Sequence, residues 1–268
     1  AGLNIIFSSS GIMKSVLNIL WTLFVVAVFS IAILASQDRI TLPQGLTDWN
    51  FTFIQNDGDL REKTDVVAKE NLEGTRVNYN FKMTAGDFEI SSETDSENYL
   101  KVDSKYLEDH GAAVLTSDST DSVVDINFEQ EFNKPLIGFF MKSPEYTVVL
   151  DSNKLASDIK FNITAGNLKA NLAGMLLESL NLEMTAGNAD VKLDESTQSV
   201  YIKVTAGNLD LSIPKEARVV FATKSTAGNI RVDKVDLKEG DSVLNPGGEN
   251  QIRIEIEQTA GNVEIKRI

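Results

Sequence analysis

Two carboxylates at matching positions of successive repeats, Asp190 and Asp210, are the residues whose type and spacing could most readily do chemistry. Each stands two places after an asparagine in the tetrapeptide TAGN, so stacking the repeats would make the two side chains neighbours. Glycoside hydrolysis needs such a pair, one carboxyl as acid and the other as nucleophile or base. The same position in the other copies holds Lys169, Arg231 and Glu264, and two places further on stand Asn171, Lys192, Ser212, Asp233 and Lys266. Mixed signs along both columns are the pattern of a solvated strand face, where opposite charges on adjacent strands stabilise a sheet modestly. We read the columns as surface, because a likeness to β-helical sugar-cleaving enzymes supplies no chemistry by itself.

Other candidates are few. The chain has no cysteine, which excludes disulfides, thiolate metal sites and a cysteine nucleophile. His110 is the one histidine; it follows Asp109, and a surface-loop residue is preferred to a dyad. The acidic stretches SSETDSEN and TSDSTDSVVD offer clustered oxygens that suit calcium, but neither has the spacing of an EF-hand loop. The residues therefore ask for no cofactor and no metal. Acidic residues outnumber basic ones 39 to 25, for a formal charge of -14, and such a field repels nucleic acid and anionic headgroups.

The elements that carry these residues come from a repeat. TAG begins at Thr84, Thr164, Thr185, Thr205, Thr226 and Thr259, with intervals of 21, 20, 21 and 33 residues between the last five. A period of about 20 residues marks a stacked architecture. Apolar residues alternate with polar ones on both sides of each TAG, as in Phe161, Ile163, Leu168, Ala170 and Leu172, which indicates strands with one buried face. Each unit reads as strand, corner and strand, followed by a return segment. The expected fold is all-β: a single β-solenoid of ~20-residue rungs.

At the corner, Gly86, Gly166, Gly187, Gly207, Gly228 and Gly261 supply positive φ without a Cβ penalty. Asn167, Asn188, Asn208, Asn229 and Asn262, with Asp87 in the first copy, can cap the bend or stack as an amide ladder. A turn signature explains every copy, so these are structural positions rather than a ligand motif. LAGMLLESLN is the one place where a short helical turn is expected. A leucine-rich repeat shares the period but needs helix formers between strands, which are mostly missing. From about Trp49 to Tyr146 the alternation continues less regularly, with strands at WNFTFIQ, TRVNYNFKM, DFEIS and SVVDINFEQEF, and the 80 residues between Thr84 and Thr164 match four periods, so they read as degenerate rungs. PLIGFFMK, 135–142, reads as a buried strand, and KEGDSVLNPGGEN as a small hairpin that lengthens the last rung. The final rung then forms an open edge guarded by Glu264, Lys266 and Arg267.

Upstream, residues 16–35 form twenty consecutive uncharged residues, long enough as a helix to cross a bilayer. Residues 13–37 read as a signal anchor, with Lys14 placing the short N-terminus in the cytoplasm. A cleavable signal peptide ending at Ala35 competes with this, although Ile33 is bulky for a position just before a cut. Either way the rest is exported. Residues 1–12 are set aside as a cloning remnant or short cytoplasmic tail, 38–50 join anchor to domain, and 51–268 form the extracytoplasmic solenoid.

LDLSIPKEARVVFATKSTAGNIRV, 209–232, and YTVVLDSNKLASDIKFNITAGNLKANL resemble the bacterial toastrack β-solenoid family of adhesin-like surface proteins. The resemblance covers about 80–268 well and 50–80 weakly. Members accompany Lia-type envelope-stress systems and cell-wall-active antibiotic response proteins. The resemblance implies a non-enzymatic plasma-membrane protein that senses or scaffolds at the envelope through a protein partner. Alternatives are an adhesin that self-associates through its terminal rung and, third, a carbohydrate-active enzyme. The first and second differ in oligomeric state, and the third requires Asp190 and Asp210.

Overall fold

A computed structural model describes residues 60–71, 74–94, 96–106, 110–132, 143–153, 155–237, 240–248 and 250–268. The expected anchor, the connector, WNFTFIQ and PLIGFFMK lie outside the described residues. Among the described residues no helix is long and apolar enough to cross a membrane.

The described chain is all-β apart from one 3-10 turn, Lys69–Asn71. Its strands are β1 (Arg61–Ala68), β2 (Arg76–Met83), β3 (Asp87–Glu93), β4 (Asn98–Tyr106), β5 (His110–Thr120), β6 (Val123–Phe132), β7 (Glu145–Asp151) and β8 (Ala156–Ile163). They continue with β9 (Asn167–Asn171), β10 (Leu176–Lys192), β11 (Ser199–Ile213), β12 (Arg218–Ser225), β13 (Asn229–Val232), β14 (Val235–Asp236), β15 (Gly240–Leu244) and β16 (Gln251–Arg267).

Period-two alternation fixes the face each side chain takes, and the TAG corner splits each rung into two limbs. First limbs pair in parallel in the order β6, β2, β8, β10, β11, β16, β12. Second limbs follow the same order as β7, β3, β9, β10, β11, β16, β13. Inward residues of the two limbs meet in one core. Phe81 of a first limb stacks on Phe161 at 5.2 Å, and Phe128 meets Phe88 and Tyr146 of second limbs edge-on at 6.3 and 5.5 Å. Ile202, Ile254, Leu211 and Ile265 are fully buried between neighbouring rungs. Each rung shelters the apolar face of the next, so stability is mainly a sum of nearest-neighbour terms.

Rung order departs from chain order at both ends. β16, last in sequence, lies between β11 on one side and β12 with β13 on the other. The expected open edge at β16 is therefore corrected: the strand is paired on both sides. Glu264, Lys266 and Arg267 instead serve the stack, accepting from the Lys234 amide (3.2 Å), pairing with Asp210 (3.0 Å) and pairing with Asp233 respectively. At the other end β6 and β7 lie outside β2 and β3 although they come later.

Antiparallel strands cover these outer rungs. β5 joins β6 and β4 joins β7 at one end, with β1 outside β4, while β15 and β14 pair with β12 and β13 at the other. The 80-residue stretch between the first two TAG copies thus holds one rung and two covering strands rather than four rungs. TSDSTDSVVD is the β5–β6 hairpin, turning at Asp121 and Ser122 with φ of 50° and 69°. KEGDSVLNPGGEN likewise differs from the expected hairpin, since β15 pairs with β12.

LAGMLLESLN forms a turn and the start of β10, not a helical turn. A bulge between Leu177 and Ser179 adds one residue, so Leu177 and Leu180 both point inward although three apart. That spacing imitates a helical face.

Near the β4–β7 end the Tyr79 hydroxyl donates to Tyr99 O at 3.0 Å, and Lys69 pairs with the buried Asp151 at 2.7 Å. Burial and then the Asp151 charge push the Tyr79 phenol well above its usual range, and burial does the same to Tyr146. A phenol whose folded pKa is raised contributes stability that is complete below its unfolded pKa of about 10 and is lost as pH rises. Stability should accordingly fall above pH ~10 by up to about 1.4 kcal/mol per pH unit for each tyrosine. Denaturation series at pH 9 to 11 check this, and Tyr79→Phe with Tyr146→Phe should flatten the slope even if the plateau drops.

Candidate functional site

The sequence-marked positions come together along the corner. In space the glycines run Gly86, Gly166, Gly187, Gly207, Gly261 and Gly228, each beside the next. Gly187 has φ +124° and Gly207 φ +139°, conformations that side chains rarely adopt. A Cβ on Gly207 would also fall well inside 3.0 Å of the Gly187 carbonyl oxygen, and one on Gly187 would do the same to Gly166. Close approach of successive corners is therefore a second reason for glycine, visible only once the rungs are stacked. Asn188 N donates to Gly166 O at 3.2 Å, and Ala186 N to Thr164 O at 3.0 Å, which continues the ladder through the bend.

The asparagines form a side-chain ladder beside it. Asn167 Nδ2 donates to Asp87 Oδ1 (2.7 Å), Asn188 to Asn167 (3.1 Å), Asn208 to Asn188 (3.1 Å) and Asn262 to Asn208 (3.2 Å). Asn229 is in register beyond Asn262. Asn167, Asn188 and Asn208 each both donate and accept, which a carboxylate cannot do. Asp87 occupies the position that only accepts. Replacing Asn188 with Asp should remove its donation to Asn167 and cost about 1 kcal/mol, whereas Asp87→Asn should change little; urea titrations of the two variants would compare them.

At the first corner the ladder is closed by a side chain. Gln130 is 4% exposed; its Oε1 accepts from the amides of Thr84 (2.8 Å) and Ala85 (2.9 Å), and its Nε2 donates to Ala85 O (2.6 Å) and the Tyr146 hydroxyl (2.7 Å). Gln130 caps this corner from the outer rung, whose sequence has no TAG. Nothing in the repeat pattern marks it, because it belongs to a rung without TAG.

Outside the second limbs lies a shallow trough of about 690 Å³. The outward row of the second limbs lines it from Glu89 through Lys169 and Asp190 to Asp210 and continues beyond it to Glu264 and Arg231, because β16 precedes β13 in space. Asp190 and Asp210 are indeed neighbours, and Glu264 makes a third carboxylate that chain order hides. Lys169 pairs with Glu89 at 2.7 Å and Arg231 with Asp236 at 2.7 Å. Hydrogen bonds to Glu89 and Asp210, reinforced by their charge, raise the pKa of Lys169 and Lys266. The row is exposed and cross-paired, an arrangement suited to holding a polar or cationic surface in register. No group of carboxylates and histidine among the described residues could hold a metal ion.

On the first limbs the row Glu129, Lys82, Asn162, Glu183, Lys203, Glu257 alternates in sign across the rungs except at the neutral Asn162. It is a second charged ladder with a constant rung spacing of ~4.8 Å.

Comparison with known proteins agrees with this architecture. A search of curated proteins finds no match to the sequence. Among solved structures, one described as a "putative cell adhesion protein" from Clostridium sporogenes has a TM-score of 0.70 at 20% identity, covering 78% of this chain and 100% of its own. That likeness establishes the fold. A "putative adhesin" from Bacteroides fragilis covers 79% of this chain and 99% of its own at 11% identity, with a TM-score of 0.33 that carries no argument. The family described as "N-terminal domain of toast_rack, DUF2154" matches residues 55–213, more than half of the chain. On that match, and with its corners stacked in register, the chain belongs to the toast_rack family.

Proposed function

We propose that this protein is a membrane-anchored, extracytoplasmic scaffold or sensor that works through protein-protein contact in the cell-envelope stress response. The observation that carries the reading is the pair of charged ladders, one on each limb, held in register by the corner column. A long exposed surface of this kind suits an extended protein partner, and the trough on the second limbs is too shallow to enclose a small molecule. The uncharged stretch 16–35 supports a single-pass anchor with the N-terminus in the cytoplasm. Toastrack membership agrees with a non-catalytic role, since neither the family nor the Clostridium structure is described as an enzyme.

The test places photo-crosslinking residues at Asp190 and Lys203, one on each ladder, in the full chain in its own membranes. A discrete protein adduct that changes in yield after a cell-wall antibiotic is expected. Absence of any adduct from both faces, before and after challenge, contradicts the proposal. Protease added to intact spheroplasts should remove the 51–268 domain, and full protection would reverse the proposed topology.

A surface adhesin is the second reading, favoured by the description of the Clostridium structure. It predicts that beads carrying the exported domain bind host or neighbour cells. Equal retention of beads carrying an unrelated acidic domain would argue against it.

A further inference from the structure

The spatial order of the rungs carries one consequence beyond this function. β16 follows β11, β12 and β13 in sequence, yet it fills the layer between β11 and β12–β13. The surfaces it separates share its register. Val200 of β11 and Phe221 of β12 both oppose Ile254, and Leu209 of β11 and Ile230 of β13 both oppose Val263. Asn208 and Asn229 likewise both oppose Asn262. With β16 absent, β12–β13 could dock directly on β11 with apolar residues against apolar residues and corner against corner. The slot can therefore close without a change of face, which a one-residue slip would force.

β16 itself is a complete rung. It carries five fully buried residues, Ile252, Ile254, Ile256, Val263 and Ile265, together with its own TAGN corner. A short connection ties it to β15, running through Asn245 at φ 48°, Pro246, Gly247 and Gly248. Exchange of an identical element between two copies restores every contact of the closed monomer and needs only a rearranged hinge.

We propose that β16 is an exchangeable rung, and that its partner is a second copy of this chain, each copy filling the other's slot between β11 and β12–β13. Such a dimer differs from end-to-end stacking, because it uses an interior layer and leaves the antiparallel covering strands undisturbed. The open state exposes the apolar face of β16, so exchange is set mainly when two chains fold together rather than between finished monomers.

Outward Lys203 and Glu257 are directly opposed across β11 and β16. Full-length chains bearing Lys203→Cys and Glu257→Cys separately, with tags of different length, are produced in the same cells, and their membranes are treated with a mild oxidant. The chain has no other cysteine. Exchange predicts a mixed disulfide several-fold more abundant than that from a Lys82→Cys and Glu257→Cys mixture, whose positions belong to rungs far apart. A yield no higher than this control overturns the proposal. A chain carrying both Lys203→Cys and Glu257→Cys gives an independent readout: a covalent dimer supports exchange, and closure solely within single chains contradicts it.

Discussion

Gly207→Ala should lower the stability of the rung stack by roughly 2 to 5 kcal/mol. Two costs add. An L-residue with positive φ loses about 1 to 2 kcal/mol, and overpacking a close contact adds about 1 to 3 kcal/mol. Gly207 has φ +139°, and its Cβ would meet the Gly187 carbonyl, which cannot yield without parting two rungs. Gly174 separates the two effects. It has φ +86° with nothing within 4 Å of a Cβ, so Gly174→Ala should pay only the backbone cost, about 1 to 2 kcal/mol. Urea denaturation of both variants gives the comparison, and equal losses would mean that the corners are not in close contact.

The second large effect is expected at Gln130. Gln130→Met leaves the Thr84 and Ala85 amides without their side-chain acceptor. At about 1 to 3 kcal/mol for each amide left unpaired, a loss of about 2 kcal/mol or more is expected. The identical change at Gln258 should be neutral or slightly stabilising. Gln258 occupies the same column as Val204 and Met184, is 3% exposed and has a buried Nε2 with no hydrogen-bond partner; only its Oε1 is engaged, by Ser225 Oγ at 3.2 Å. Methionine matches its size and has no amide to desolvate. Thermal unfolding of the two variants should therefore separate them by several degrees, and a reversed order would remove Gln130 from its role as corner cap.

The contrast between these glutamines shows what could be read from the sequence and what could not. Alternation around each TAG located β2, β3, β8 to β13 and β16, because a half-buried strand writes its pattern residue by residue. The amide ladder was also accessible, since identical residues at identical offsets must meet if the repeats stack. Rung order was not. β11, β12–β13 and β16 carry the same alternation and the same corner, so any order of the three satisfies the local pattern. Strand direction was hidden as well: β4 alternates from Leu100 onward as parallel rungs do but runs antiparallel to β7. Three aligned carboxylates, Asp190, Asp210 and Glu264, were obscured by this, since chain order places Arg231 after Asp210. At β10, the bulge after Leu177 turned a strand into an apparent helical face.

The outward row on the second limbs tests the stacking order most directly. Adjacent parallel strands place Cα atoms at ~4.8 Å, within disulfide reach, whereas two layers apart they stand at ~9.6 Å and beyond it. In this cysteine-free chain, Asp210→Cys with Glu264→Cys and Glu264→Cys with Arg231→Cys should each form a disulfide on mild oxidation, while Asp210→Cys with Arg231→Cys should stay reduced. Rapid closure of the 210–231 pair with no closure of the 210–264 pair would mean that the rungs follow chain order, and the interior placement of β16 would be wrong.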